Sequence, residues 1–359
     1  MPSDTRALIL RRWWIIAAVG IALVLFLTMM VLSRSIPSHS LPNDFQPVTV
    51  PLERYTGRPM QALYQLEQIT AQTGWTPELF RLAGDLWQEA GDGGRAFTYW
   101  RATGIRDDAA FLRQLGNTAL ELGEWNAAQT AFAQLMALEP DDGRARTELG
   151  ILLAANGDRA VVDLLSRIAN DPASPDAETA DALISALQGA DDLGSRLIRV
   201  GLIFAERERW QYAVLAFESA AALPDAPALA YAYLGWSQDQ TGEDGTDAIL
   251  QAVNAAPNDA QVRLLEGLHW RSLGENDASL EALIAAAVFD PESAALLAEL
   301  GNTYRLMRDF DQARYWYTLA LALSNNDARY QALLDLLNGN PTEVMGELGL
   351  NDATPELTP

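Results

Sequence analysis

The sequence predicts an all-α protein, a solenoid of stacked helical hairpins behind a single N-terminal transmembrane helix. Three observations predict it. Glycines recur at Gly84, Gly116, Gly150, Gly201, Gly235, Gly267 and Gly301, at intervals of 32, 34, 51, 34, 32 and 34 residues. Small, aromatic and proline residues recur at fixed offsets from them, which marks one repeated unit rather than two or three separate domains. Residues 13–32 carry no charge over twenty positions.

Residues 1–12 form a cytoplasmic tail with Arg6, Arg11 and Arg12 against one acid, Asp4, while only Arg34 lies close beyond the apolar run. As a helix the run spans about 30 Å, the thickness of the hydrocarbon core. The positive-inside rule keeps the tail in the cytoplasm and exports the rest. Arg11-Arg12-Trp13-Trp14-Ile15 hints at a twin-arginine signal. The run is longer than the core of a cleaved signal, however, and no A-x-A site follows, so residues 13–32 read as an uncleaved anchor.

Residues 33–58 form a linker studded with Pro37, Pro42, Pro47 and Pro51, and His39 sits in it as a solvated residue. The first block of units spans 59–172 and opens on an amphipathic capping helix, Met60 to Thr73. The interval of 51 residues equals one unit and a half, and Ala177 to Leu187, between Pro175 and Gly189, fits one additional helix. Residues 173–193 are therefore a break where the solenoid bends or divides. A second block covers 194–338 and closes on a capping helix, Asp327 to Leu337, because the ends of a solenoid need a polar cover. Residues 339–359, with Gly, Pro, Thr and four acids, read as a flexible acidic tail.

Each repeated column has a physical reason. Gly and Ala (Ala96, Ala128, Ala213, Ala313) let two antiparallel helices approach, and Trp100, Phe132, Phe217, Leu283 and Tyr317 fill the space between them. Seven positions after the first glycine a second recurs, at Gly91, Gly123, Gly157, Gly242 and Gly274, where the left-handed conformation ends a helix. An acid beside it starts the next helix: Asp92, Glu124, Asp158, Glu243 or Asp309. Pro140, Pro172, Pro257 and Pro291 stop the second helix.

Leu115-Gly116 with Trp125, Ala128, Phe132 and Pro140, and Leu300-Gly301-Asn302-Thr303-Tyr304 with Phe310, Ala313 and Tyr317, resemble the tetratricopeptide repeat (TPR) family. Its pattern is L-G-x-x-Y, A-x-x-x-F, P. Val200-Gly201 with Phe204, Trp210, Ala213 and Phe217 is nearly as close. The copies at 143–172 and 228–257 lack the second-helix aromatic, and the resemblance covers about 77–327. It implies that first helices line a groove that takes an extended peptide or a helix. In that register Glu78, Arg81, Asp85, Arg113, Asn117, Arg144 and Thr147 line a polar half. Ile198, Leu202, Trp236, Leu264 and Leu268 line an apolar half, with Arg271, Asn302 and Arg305 beyond. Trp236 is the expected anchor for a partner's apolar group. Some family members hold a terminal carboxylate in a clamp. Arg113 and Asn117 match its first basic and Asn positions, with Arg in place of Lys, but Glu148 stands where a second Asn belongs and repels a carboxylate.

Composition excludes much else. The chain has 48 acids and 25 bases, all arginine, for a net charge of -23, with no cysteine, no lysine and two histidines. Thiolate, zinc-ribbon, disulfide, Schiff-base and P-loop chemistry are thereby excluded, and no cofactor or metal is expected. Such acidity repels phosphate backbones, so nucleic acid is not an expected partner. The pairs Asp107-Asp108, Asp141-Asp142 and Asp191-Asp192 fall at helix starts and read as caps. His269 reads as a structural histidine. The expected function is a membrane-anchored extracytoplasmic scaffold that binds proteins and supports assembly of an envelope or membrane complex. Absence of disulfides and of N-x-[ST] sites points to a bacterial cytoplasmic membrane. A fixed accessory subunit of one membrane complex and a carboxylate-dependent enzyme are the alternatives.

Overall fold

A computed structural model describes residues 57–189 and 192–339. The segments assigned above to the cytoplasmic tail, the transmembrane helix and the linker, Gly57 and Arg58 apart, lie outside the described residues, as does the acidic tail beyond Gly339. Among the described residues no helix is long and apolar enough to cross a membrane.

The described residues form an all-α, TPR-like helical-repeat solenoid of seventeen α-helices. An opening helix α1 (Pro59–Thr73) is followed by α2 (Pro77–Glu89), α3 (Gly93–Arg101), α4 (Ala109–Glu121), α5 (Trp125–Leu138) and α6 (Gly143–Ala155). After a 3-10 turn at Arg159–Val161 come α7 (Val162–Ala169) and α8 (Ala177–Gly189). The second block holds α9 (Leu193–Glu206), α10 (Trp210–Ala221), α11 (Ala228–Thr241), α12 (Thr246–Ala255), α13 (Ala260–Ser272) and α14 (Asn276–Phe289). It ends on α15 (Ala294–Leu306), α16 (Phe310–Leu323) and α17 (Ala328–Leu337).

Helix starts follow the acids. Asp92, Asp108, Asp142, Asp192, Asp259 and Asp309 each accept a backbone N–H of the first turn, satisfying donors that have no intrahelical partner. Glu124 makes no such bond, and the N-cap of α12 is Gly245 rather than Glu243. Glutamate is one methylene too long to cap as aspartate does.

Packing explains the glycine column. A Cβ at Gly201 would sit 2.4 Å from the Phe217 ring, so α9 and α10 meet only if that position is bare. The unit at 228–257 solves the same problem differently. A Cβ at Gly245 would lie 2.1 Å from the Gly235 carbonyl oxygen, so α11 and α12 touch backbone to backbone. Ile249 then suffices where four other units place an aromatic ring.

At the break, α8 pairs with α7 and then packs on α9, while α6 reaches past both to α9 and α10. Tyr212 on α10 donates its hydroxyl to Glu148 on α6 at 2.7 Å and lies 5.8 Å from the Trp125 ring. One hydrophobic cluster runs from Phe97 through Ile151, Leu183 and Phe217 to Leu333. The core therefore does not divide at 173–193.

Candidate functional site

The first-helix face differs between the two blocks. In the N-terminal block each arginine three positions before the repeat glycine is taken by the cap of the next unit. Arg81 pairs with Asp108 and lies over the Phe111 ring at 4.9 Å. Arg113 donates through Nε (3.1 Å) and Nη2 (2.7 Å) to Asp142, and through Nη2 to Glu139 as well. The cap and the clip act on one carboxylate. The backbone N–H of Phe111 first, and then Arg81, hold the Asp108 carboxyl below the usual range. Burial pushes Asp142 up, but the Ala145 N–H and Arg113 outweigh it and the carboxyl again lies low. The hydrogen bond to Asp142 raises Arg113 in turn.

A clamp built on Arg113 is thus already occupied by Asp142 and Glu139. Both guanidinium groups remain about a third exposed, at 35% for Arg81 and 37% for Arg113. Asp85 accepts the Trp100 indole N–H at 2.9 Å; burial raises its carboxyl above the ordinary value, and that bond together with Arg81 offsets only part of the rise. Glu78 and Arg144 are exposed, and Thr147 is half-buried. Asn117 is half-buried, with a buried side-chain oxygen that accepts no hydrogen bond. A buried acceptor without a donor is costly.

The C-terminal block reverses this. Trp236 is 3% exposed and meets the Trp210 ring edge-on at 5.0 Å. Leu202, Leu264 and Leu268 are also buried, and Ile198 packs against the core half-buried. The expectation that Trp236 and these leucines present an open apolar face is corrected by the packing. First helices α11 and α13 lie directly on each other, so the residues that would face a groove seal the joint between units. Asn302 is buried too, accepting the Tyr317 hydroxyl at 2.7 Å and donating to Glu299 at 3.3 Å. Burial pushes that hydroxyl up to about 12, so it stays a donor. Arg271 pairs with the buried Glu299 at 2.6 Å. Of the residues assigned to this half, Arg305 remains half-exposed near its end, with a buried Nε lacking a partner.

Sequence reasoning left His269 without a partner. Its Nδ1 lies 2.8 Å from Asp239 and its Nε2 3.1 Å from Thr246 Oγ1, which also bonds Asp244 at 2.6 Å. The order carboxylate, imidazole, hydroxyl is that of a nucleophile relay. His269 is 0% exposed, however, and the Asp239 side chain 4%, so no substrate reaches the imidazole. These residues join α11, α12 and α13. The signal for them was the polar Asp239 four positions after Gly235, on an otherwise buried helix face. Among the described residues no cluster of His, Cys, Asp and Glu is placed to hold a metal ion.

No family model matches the chain, and no curated protein sequence matches it. Solved structures of helical-repeat proteins do. The Cut9–Hcn1 hetero-tetramer of the APC/C is 15% identical, with a TM-score of 0.39, over 84% of this chain and 67% of that one. A tetratricopeptide repeat protein from Parabacteroides merdae is 13% identical, TM-score 0.37, over 73% and 98%. Yeast Tom70 is 13% identical, TM-score 0.32, over 73% and 66%. At these values the likeness says nothing of partners or activity.

Proposed function

We propose that this protein is a scaffold that holds other proteins on the first-helix face of α2, α4 and α6. Residues 13–32 anchor it in a cytoplasmic membrane, and the solenoid stands on the extracytoplasmic side, where it supports assembly of an envelope or membrane complex. The anchor rests on the uncharged twenty-residue run and the arginines before it.

One observation carries the choice of face. The corresponding surface of α11, α13 and α15 is buried between units, whereas the N-terminal block keeps Glu78 and Arg144 exposed and Arg81 and Arg113 about a third exposed. The side chains of a peptide laid along this face would meet Arg144 and, by competition with Asp108 and Asp142, Arg81 and Arg113. Charge-assisted bonds of this kind set register and orientation more than raw affinity. The leucines and Trp236 of the C-terminal block serve as the rigid backing.

Site-specific photocrosslinkers at Asn117, Arg144 and Leu268 of the membrane-inserted protein test this reading. Adducts at the first two and none at the third are expected. Adducts at Leu268 alone would overturn the choice of face, and none anywhere would overturn the scaffold reading.

A further inference from the structure

At the far end of the solenoid the joint between units is left open. Where α15 gives way to α16, a cleft of about 460 Å³ is floored by Leu306, Phe310, Leu336 and Leu337 and edged by Arg305 and Arg308. Leu306 and Phe310 are each 49% exposed, although they occupy the joint that a following unit would cover. Arg305 keeps a buried Nε with no acceptor. Neither arginine has an ion-pair partner among the described residues.

Seven positions after the repeat glycine, five units place a glycine with a positive φ, and the other two place Glu208, at 56°, and Arg308, at 64°, in the same left-handed conformation. Glycine adopts it without strain and a β-substituted residue does not. At this position the chain places a cation, on the edge of the cleft.

Gly339, itself part of the cleft wall, leads directly into residues 340–359. That segment contains Glu343, Glu347, Asp352 and Glu356 and no basic residue. Val344, Met345, Leu348 and Leu350 are interleaved with the acids. Glu343 with Glu347, and Val344 with Leu348, are each spaced four residues apart. The two arginines and the apolar floor want that chemistry in return.

We propose that residues 341–350 of this same chain close the cleft, Val344 and Leu348 lying on Leu306 and Phe310 while Glu343 and Glu347 take Arg305 and Arg308. Tethering favours this occupant. A segment joined to the cleft wall acts at millimolar effective concentration, whereas a free acidic partner must also approach a protein of net charge -23. The acidic segment then supplies the polar cover that the end of a solenoid needs, which the helix α17 alone does not give.

The absence of cysteine makes the test clean. In the full chain, the pair Leu306→Cys and Leu348→Cys is oxidised and followed by non-reducing electrophoresis and peptide mass spectrometry. An intramolecular disulfide is expected, formed at least about tenfold faster than in a control pair of Leu250→Cys with Leu348→Cys. Adding Arg305→Glu and Arg308→Glu should abolish that advantage, and a further Glu343→Arg with Glu347→Arg should restore it. A rate equal to the control, a disulfide only between chains, or indifference to the charge reversals would each overturn the proposal. Amide exchange provides a readout free of new cysteines. In full-length Glu343→Arg/Glu347→Arg, residues 306–310 should exchange at least about tenfold faster than in wild type, and unchanged protection would overturn it.

Discussion

The two blocks of this solenoid join successive units by opposite means. In 59–172 the first helices are clipped at the surface, arginine to the N-cap aspartate of the next unit. In 194–338 they are sealed by side chains taken out of water. The difference teaches that one repeat pattern can spend the same register position on stiffness or on access. Three positions before the glycine stand Arg81 and Arg113 in the first block, and Leu264 in the second. One position after it stand Asn117 in the first, and Trp236 and Leu268 in the second. A surface clip contributes little and can be exchanged for another anion. A buried joint contributes much and cannot be opened without loss of the unit.

Mutations at matched positions should break that contrast most visibly. Trp236→Ala removes an indole wedged against Trp210 and should cost about 3–5 kcal/mol in urea unfolding followed by circular dichroism. Arg271→Ala should cost a similar amount, about 3–5 kcal/mol, because it strands the buried Glu299 carboxylate. If either left the midpoint unchanged, the C-terminal face would be a free surface after all. Asp142→Ala ranks next. It removes a cap and a clip together, and a loss of about 1–2 kcal/mol in the same assay is expected.

Much of the fold was legible. The glycine, alanine and aromatic columns encode close approach between helices, and that demand recurs every unit whatever else changes. Even a copy without its aromatic was informative, since Gly245 facing Gly235 explains why Ile249 is enough at 228–257. The face was harder. Asp108 and Asp142 were readable as caps, but their second role depends on an arginine 27 and 29 residues earlier in the preceding unit. A rule for finding it exists: arginine three before one glycine, aspartate eight before the next. The burial of Trp236 was not legible, because its pattern position is that of Asn117. Direct packing of α11 on α13 decides it, and that is a property of how units stack rather than of any one unit.

Smaller effects sharpen the comparison. The carboxyls of Asp108 and Asp142 lie below their unfolded value, so their clips stabilise the folded state above about pH 4 and lose that contribution as pH falls through the lower folded values. Asp85 has the opposite sign: its raised carboxyl opposes folding when ionised, and acid relieves that cost. Amide exchange between pH 5 and 2.5 should therefore show the α4 and α6 N-termini loosening, and Asp142→Asn should remove the pH dependence at α6 alone. The smallest change expected is for Arg81→Ala, at most about 1 kcal/mol at low ionic strength and less in 1 M salt, since the pair is a third exposed. Calorimetric melts at the two salt concentrations check it.

The most direct test of an open N-terminal face against a sealed C-terminal one compares two thiols at the same register position in an otherwise cysteine-free chain. Asn117→Cys and Leu268→Cys are treated, in the full-length folded protein, with a small maleimide. The thiol at 117 should react at least about a hundredfold faster, because a sealed joint admits reagent only through local opening. Equal rates at the two positions would contradict the account.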